Sequence, residues 1–215
     1  MSDLRLDDFW QALDELNGSS NACSLYDSST PASQLRRRNL SRYLELMAAR
    51  MPSTLLVGEA PGYRGTAVTG VPFMSVREIT SAPGLVSGAA DGDDYEVPDE
   101  PPFVREATSQ AMWSTLAEDA ELPLLWAAFP LHPHEPGHPF TNRRPTPTEI
   151  RAGLSVTLAL VHAFKIERVI AVGRVAQAVL APHFPAIPYV RHPARGGVAQ
   201  FRSQLRDLRE EQLRS

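Results

Sequence analysis

The chain holds a single cysteine, Cys23, among its 215 residues. Counting alone therefore excludes an intrachain disulfide, a four-cysteine zinc site and a four-cysteine iron–sulfur cluster. Long apolar runs are missing as well, with no stretch approaching the roughly 20 uncharged apolar residues of a membrane helix. The first residues, Met1-Ser2-Asp3-Leu4-Arg5, lack the basic start and apolar run of a secretion signal. These absences predict a cytoplasmic protein that uses no membrane. Lysine is nearly absent: of 21 basic residues, 20 are arginine and one is Lys165. Arginine offers a planar fork for phosphate and carboxylate, although a GC-rich genome produces the same bias.

What is present suffices for one sizeable core. At 43% hydrophobic residues and this length, the chain reads as a single domain over residues 1–215, and as a monomer. Its net charge of −4 is unevenly spread. Residues 1–142 carry 9 arginines against 20 acids, whereas residues 143–215 carry 12 basic residues against 5 acids, a local +7.

Leu6, Phe9, Leu13 and Leu16 recur at helical spacing, as do Leu40, Tyr43, Leu44 and Met47, so residues 1–52 should hold two helices packed on the domain. Thr54 to Val57 reads as a strand running into the glycine-punctuated Gly58-Glu59-Ala60-Pro61-Gly62. An irregular stretch follows over about residues 63 to 103. Its part from 84 to 102, with six acids and no base between Asp91 and Glu100, is expected to be an acidic, solvated surface loop.

From Arg105 the pattern alternates. A helix carries Met112, Leu116 and Leu122, and a buried strand covers Leu124 to Phe129. After a proline-rich loop, Thr146-Pro147-Thr148-Glu149 has the spacing of a capping box with proline at the first helical position. A third strand (Val169 to Val172), a short helix (Arg174 to Leu180), a fourth strand (Ile187 to Val190) and a closing helix (Gly197 to Leu213) complete the chain. Such alternation predicts an α/β fold, a three-layer α/β/α sandwich around a central, mainly parallel four-stranded sheet. Folds of this kind place sites in loops after the carboxyl ends of strands, here 58–73, 130–142 and 191–197.

The first of these loops continues Tyr63-Arg64-Gly65 and, slightly later, Gly70-Val71-Pro72-Phe73. Glycines let backbone approach a ligand, a carboxylate at a strand end can orient water, and a phenylalanine can stack on a flat ring. Neither a phosphate-cradling loop nor a dinucleotide fingerprint is present. The last loop reads Arg191-His192-Pro193-Ala194-Arg195-Gly196-Gly197.

In this order and at these strand ends, the motifs resemble the uracil-DNA glycosylase superfamily. Gly58-Glu59-Ala60-Pro61-Gly62 is similar to the first motif of its iron–sulfur, thermophile-type branch, Gly70, Pro72 and Phe73 fall on that branch's Gly-x-Pro-Phe, and His192-Pro193 matches the second motif. The resemblance, which runs from about residue 54 to the end, implies a monofunctional DNA glycosylase that hydrolyses the N-glycosidic bond of uracil or a related deaminated base. It implies DNA with a damaged base as partner and no cofactor or metal. Glu59 would orient the hydrolytic water and His192 would stabilise the departing base anion. Phe73 would stack on the base, with Gly58, Ala60 and Gly62 lining its edge. Gly62 stands where uracil-specific members carry a tyrosine that blocks the 5-methyl of thymine, and Tyr63 is placed to fill that space. Arg195, three residues after His192, is the candidate wedge that replaces an extruded nucleotide, or else a phosphate contact. Arg143, Arg144, Arg191 and Arg202 are further candidate phosphate contacts.

Two features depart from the family. One cysteine cannot hold the cluster, so the resemblance implies a cluster-free branch. Where uracil-specific members end strand two in an asparagine that reads the base, this sequence has Ala127, and a methyl group makes no bidentate polar contact. Asn142 or His134 then reads the base, or the substrate is not uracil, or the protein is a catalytically weak or silent nucleic-acid-binding member. A third reading, from another class, is a metal-dependent hydrolase using His132, His134 and His138.

Overall fold

A computed structural model describes residues 5–117 and 121–214. The first four residues, part of the stretch read for a secretion signal, lie outside the described residues.

Helix α1 (Asp7–Asp14) turns Phe9 and Leu13 into the core. After strand β1 (Ala22–Cys23), the long helix α2 (Pro31–Arg50) opens on a capping box in which Thr30 and Ser33 satisfy each other's backbone N–H, with Pro31 in the first turn. Its buried stripe is Leu40, Tyr43, Leu44 and Met47, the residues whose spacing marks the helix in sequence. Strand β2 (Thr54–Gly58) is followed by the short helices α3 (Thr66–Thr69) and α4 (Val76–Ser81) and then by α5 (Ala107–Leu116). Strand β3 (Leu124–Ala127) stops two residues short of the run read for it, and Leu122 lies beyond α5. A two-residue strand β4 (His132–Pro133) precedes α6 (Pro147–Ala163), whose capping box is formed as the sequence predicts, Glu149 N–H donating to Thr146 Oγ1 at 3.2 Å. Strand β5 (Arg168–Val172), helix α7 (Arg174–Leu180), strand β6 (Tyr189–Val190) and helix α8 (Val198–Arg214) complete the order.

The main sheet has the order β3-β2-β5-β6, and every pairing is parallel. Strand β2 sits between β3 and β5 in a sheet covered on both faces, and Leu55, Leu56 and Val57 are accordingly all fully buried and read as an unbroken apolar run. Helices flank the sheet in an α/β/α arrangement, as expected. Tyr43 ties α2 to the sheet by accepting the Leu125 N–H on its phenolic oxygen at 2.7 Å. Among the described residues no helix is long and apolar enough to cross a membrane.

Strand β6 begins two residues later than the run read for it, α3 and α4 lie in the stretch read as irregular, and two further stretches differ from the reading of the sequence. The proline-rich loop contains β4, which pairs antiparallel with β1, Cys23 opposite His132. Two residues of extended chain carry no detectable alternation, so neither partner is legible alone. The acidic loop is not simply solvated. Asp93 is only 5% exposed and accepts the backbone N–H groups of Val86 and Ser87, at 2.8 and 2.7 Å. Glu96 pairs with Arg38, and Asp94 with Arg42, so the acids are tied to the basic face of α2.

Candidate active site

The loop after β2 is shaped by what lies against its glycines. A side chain at Gly58 would overlap the Phe73 ring, so glycine there lets the ring pack on the end of the strand. Phe73 holds a left-handed backbone, φ +55°, a conformation that non-glycine residues keep only when their surroundings enforce it. Its N–H donates to Thr66 Oγ1 at 3.0 Å and its carbonyl accepts from Trp113 Nε1 at 3.0 Å.

Phe73 forms one wall of a cavity of about 260 Å³ that opens between the three strand-end loops. Ala60, Pro61 and Gly62 line it from the first loop, Trp126 and Ala127 from the end of β3, Asn142 from the loop after β4, and His192, Ala194 and Arg195 from the loop after β6. Pockets of this scale, below the roughly 300–1,000 Å³ that take drug-sized ligands, suit one small ring system. Ala127 pairs in register with Gly58 and presents only its methyl. The neighbouring Trp126 indole N–H is buried without a hydrogen-bond partner among the described residues.

The cavity also holds a carboxyl group that sequence reasoning missed. Glu106, just before α5, lines it and accepts the Ser109 hydroxyl on Oε2 at 2.8 Å. Burial is the main influence on this group and pushes its pKa above the usual carboxylate range. In sequence an acid three residues before a serine at a helix start reads as an end cap, and nothing there signals that chain folding carries it to Gly62 and Gly65. A side chain at either glycine would overlap the Glu106 carboxyl. The space beside Gly62 is thus filled by Glu106 and not by Tyr63, contrary to expectation. Tyr63 packs its ring edge-on against Phe103, 5.0 Å away, and receives the Arg64 Nε–H on its hydroxyl at 2.9 Å.

His192 leaves β6 at the rim of the same cavity. Its Nδ1 accepts the Ala194 N–H at 3.1 Å, which places the ring proton of the neutral form on Nε2. Burial first, and the Arg191 charge second, pull its pKa below the ordinary histidine value, so the ring stays neutral at physiological pH. A neutral imidazole in this tautomer donates from Nε2 and gains charge stabilisation from any anion that forms beside it. Glu59 stands outside the cavity, in a contiguous groove of about 480 Å³ that Asn142 and His192 also line. Burial raises its pKa while Arg144, with Nε 3.7 Å from the carboxylate, pulls it down. Base-sized cavity, neutral imidazole and half-buried carboxylate therefore sit together at the carboxyl ends of the strands of one parallel sheet.

With this geometry in place, the chain is similar in structure to the crystal structure of wild-type SMUG2 from Pedobacter heparinus. The match covers 95% of this chain and 97% of that one at a TM-score of 0.55 and 13% sequence identity. The fold is uracil-DNA glycosylase-like. No family model matches the sequence, and no curated protein matches it.

On this uracil-DNA glycosylase-like frame the arginines divide. Arg144, Arg191 and Arg195 line the groove, joined by Arg174, whose guanidinium lies 4.2 Å from the centre of the Tyr189 ring. Arg174 opens a helix in sequence, and only the parallel pairing of β5 with β6 brings it beside the last loop. Arg195 keeps a left-handed backbone, φ +53°, and reaches both cavity and groove. Arg143 and Arg202 correct the expectation of phosphate contacts, although Arg143 also borders the groove. The Arg143 guanidinium is fully engaged by Glu149 at 2.5 and 2.8 Å, Asn21 O at 2.9 Å, Arg144 O at 3.1 Å and His134 O at 3.2 Å. Arg202 lines neither space and donates to Thr115 and Ser114, joining α8 to α5.

His134 is likewise not a base reader. It is buried with Nδ1 2.9 Å from Glu135 O and Nε2 3.2 Å from Cys23 Sγ, and it lines neither cavity nor groove. His132 spans the Pro61 and Pro139 carbonyls at 2.9 and 3.0 Å. With both nitrogens of both rings facing other partners, the metal-dependent reading loses two of its three ligands. Among the described residues no group of three histidine, cysteine or acidic side chains is placed to hold a metal.

Proposed function

We propose that the protein is a monofunctional DNA glycosylase acting on uracil or a related deaminated base in DNA. The observation that carries this reading is the convergence of Phe73 and His192, from loops far apart in sequence, on one base-sized cavity, with Glu59 in the arginine-lined groove at its mouth. The target nucleotide is extruded into the cavity and its base stacks on Phe73. Breaking the C1′–N bond sends the electron pair to the base, and a base oxygen takes the Nε2–H hydrogen bond of His192. Positive charge that develops on the sugar faces Glu59 in the groove, whose carboxylate orients the water that adds to C1′ and takes up its proton. Charge is thus stabilised on both sides of the breaking bond by groups already fixed by the fold. Arg144, Arg191 and Arg195 contact phosphates, with Arg195 also placed to act as the wedge. No cofactor is needed for this hydrolysis.

Ala127 favours a second reading, a weak or silent nucleic-acid-binding member of the same superfamily. Duplexes carrying uracil, hypoxanthine or xanthine, incubated with the protein in EDTA and then cleaved at abasic sites, separate the two. Abasic sites in at least one duplex are expected. Binding to every duplex with cleavage of none would replace the first reading by the second, and activity that EDTA abolishes would contradict both.

A further inference from the structure

Deamination changes one edge of a base. The exocyclic amino donor becomes a carbonyl acceptor, and the adjacent ring nitrogen turns from acceptor to N–H donor. A pocket that tells product from parent must offer a donor to that carbonyl and an acceptor to that N–H, and Ala127 offers neither. We propose that Glu106 and Asn142, meeting over Gly62, form the pair that reads this lactam edge. The proposal rests on the glycosylase reading and names the specificity element within it.

The two polarities are fixed by neighbours. The Tyr63 N–H donates to Asn142 Oδ1 at 3.1 Å, so the amide presents its Nδ2 hydrogens elsewhere. Ser109 donates to Glu106 Oε2, while Oε1 receives no hydrogen bond from any described residue. Both free ends converge on one spot: a Cβ at Gly62 would overlap Glu106 Oε1 and lie 3.8 Å from Asn142 Nδ2. Both residues line the base-sized cavity. Glycine at position 62 thus keeps open the place where a donor from the loop after β4 and an acceptor from the start of α5 stand side by side. A cytosine or adenine edge would set its amino group against the Asn142 amide donor and its ring nitrogen against the Glu106 acceptor. Both contacts would then be lost in a partly desolvated site, the situation in which hydrogen-bonding pockets discriminate most strongly.

The test measures equilibrium affinity for duplexes carrying a cleavage-resistant 2′-fluoro-deoxyuridine or 2′-fluoro-deoxyinosine against the matched cytosine and adenine duplexes. Wild type is expected to prefer the deaminated base. Glu106→Ala and Asn142→Ala should each reduce that preference by about 10- to 100-fold, the effect of removing one partner from a buried polar contact. Glu106→Gln, which keeps the volume, should narrow it by gaining affinity for cytosine or adenine, because the carboxamide can donate to the ring nitrogen. A merely structural role for Glu106 would weaken all duplexes alike. If wild type prefers and excises the deaminated base, and folded variants keep its ratio, the pair is refuted while the glycosylase reading stands. If wild type shows neither preference nor excision on any duplex, both fall together.

Discussion

Glu59 and His192 are set to opposite tasks by their surroundings. Burial moves both toward the neutral form, which for the imidazole is the form the proposed chemistry uses and for the carboxylate is not. Glu59 must be ionised, and its raised pKa means that this form is lost as pH falls through a value above the ordinary carboxylate pKa of about 4.3. The rate profile of kcat/KM should accordingly drop on the acid side, with the limb lying above that of an exposed glutamate. Arg144 opposes the shift, so Arg144→Ala should move the limb to higher pH. A limb that stays in place in Arg144→Ala would mean that another group sets it. At this scale the sequence was informative about Phe73, whose neighbouring glycines and proline mark a shaped loop, and silent about Glu106. The difference is physical: Phe73 acts through its own loop, while Glu106 acts at Gly62, a contact made only after α5 packs on the sheet. Arg143 and Arg144 show the same limit, since both border the groove, yet the first spends its guanidinium on Glu149 and backbone carbonyls while the second stays exposed.

At the level of elements, strands and helices were largely legible because the signals are local. Residues 55 to 57 are apolar without alternation because both faces of the sheet are covered at β2, and Thr146 with Glu149 announces the start of α6. The β1 and β4 pair was not, since its stability comes from a partner over a hundred residues away. Arg143 reinforces that connection by joining Glu149 on α6 to Asn21 beside β1, with only 13% and 19% of the two charged side chains exposed. It pulls the Glu149 carboxyl down to about 2. A depressed folded-state pKa stabilises the protein above the unfolded value and loses that contribution as pH falls toward 2. Arg143→Ala should lower the unfolding free energy near pH 7 by about 2 kcal/mol and by less below pH 3, read by denaturant melts at both. An equal loss at both pH values would show that the ion pair is not the cause.

For the whole molecule, net charge conceals the surface that matters. The −4 total includes acids that α2 already neutralises at Arg38 and Arg42, whereas Arg144, Arg174, Arg191 and Arg195 all come from the basic segment 143–215 and share one groove. If all four meet phosphates, affinity for undamaged duplex should fall with salt at a log–log slope of about −3 to −4, and Arg144→Ala should flatten it by about one unit. Arg143→Ala should leave the slope unchanged. The fold class follows from strand and helix alternation and is shared with SMUG2 across nearly the whole chain, yet 13% identity leaves the chemistry to the site itself.

The most direct measurement of the central claim is the single-turnover excision rate on the most favoured deaminated duplex, for wild type, Glu59→Gln and His192→Ala at saturating protein. Removal of a transition-state donor or of the water-orienting carboxylate should each slow the chemical step by about 10²- to 10³-fold with duplex affinity nearly unchanged. Excision by both variants at the wild-type rate would contradict the roles given to Glu59 and His192, and with them the active site proposed for this protein.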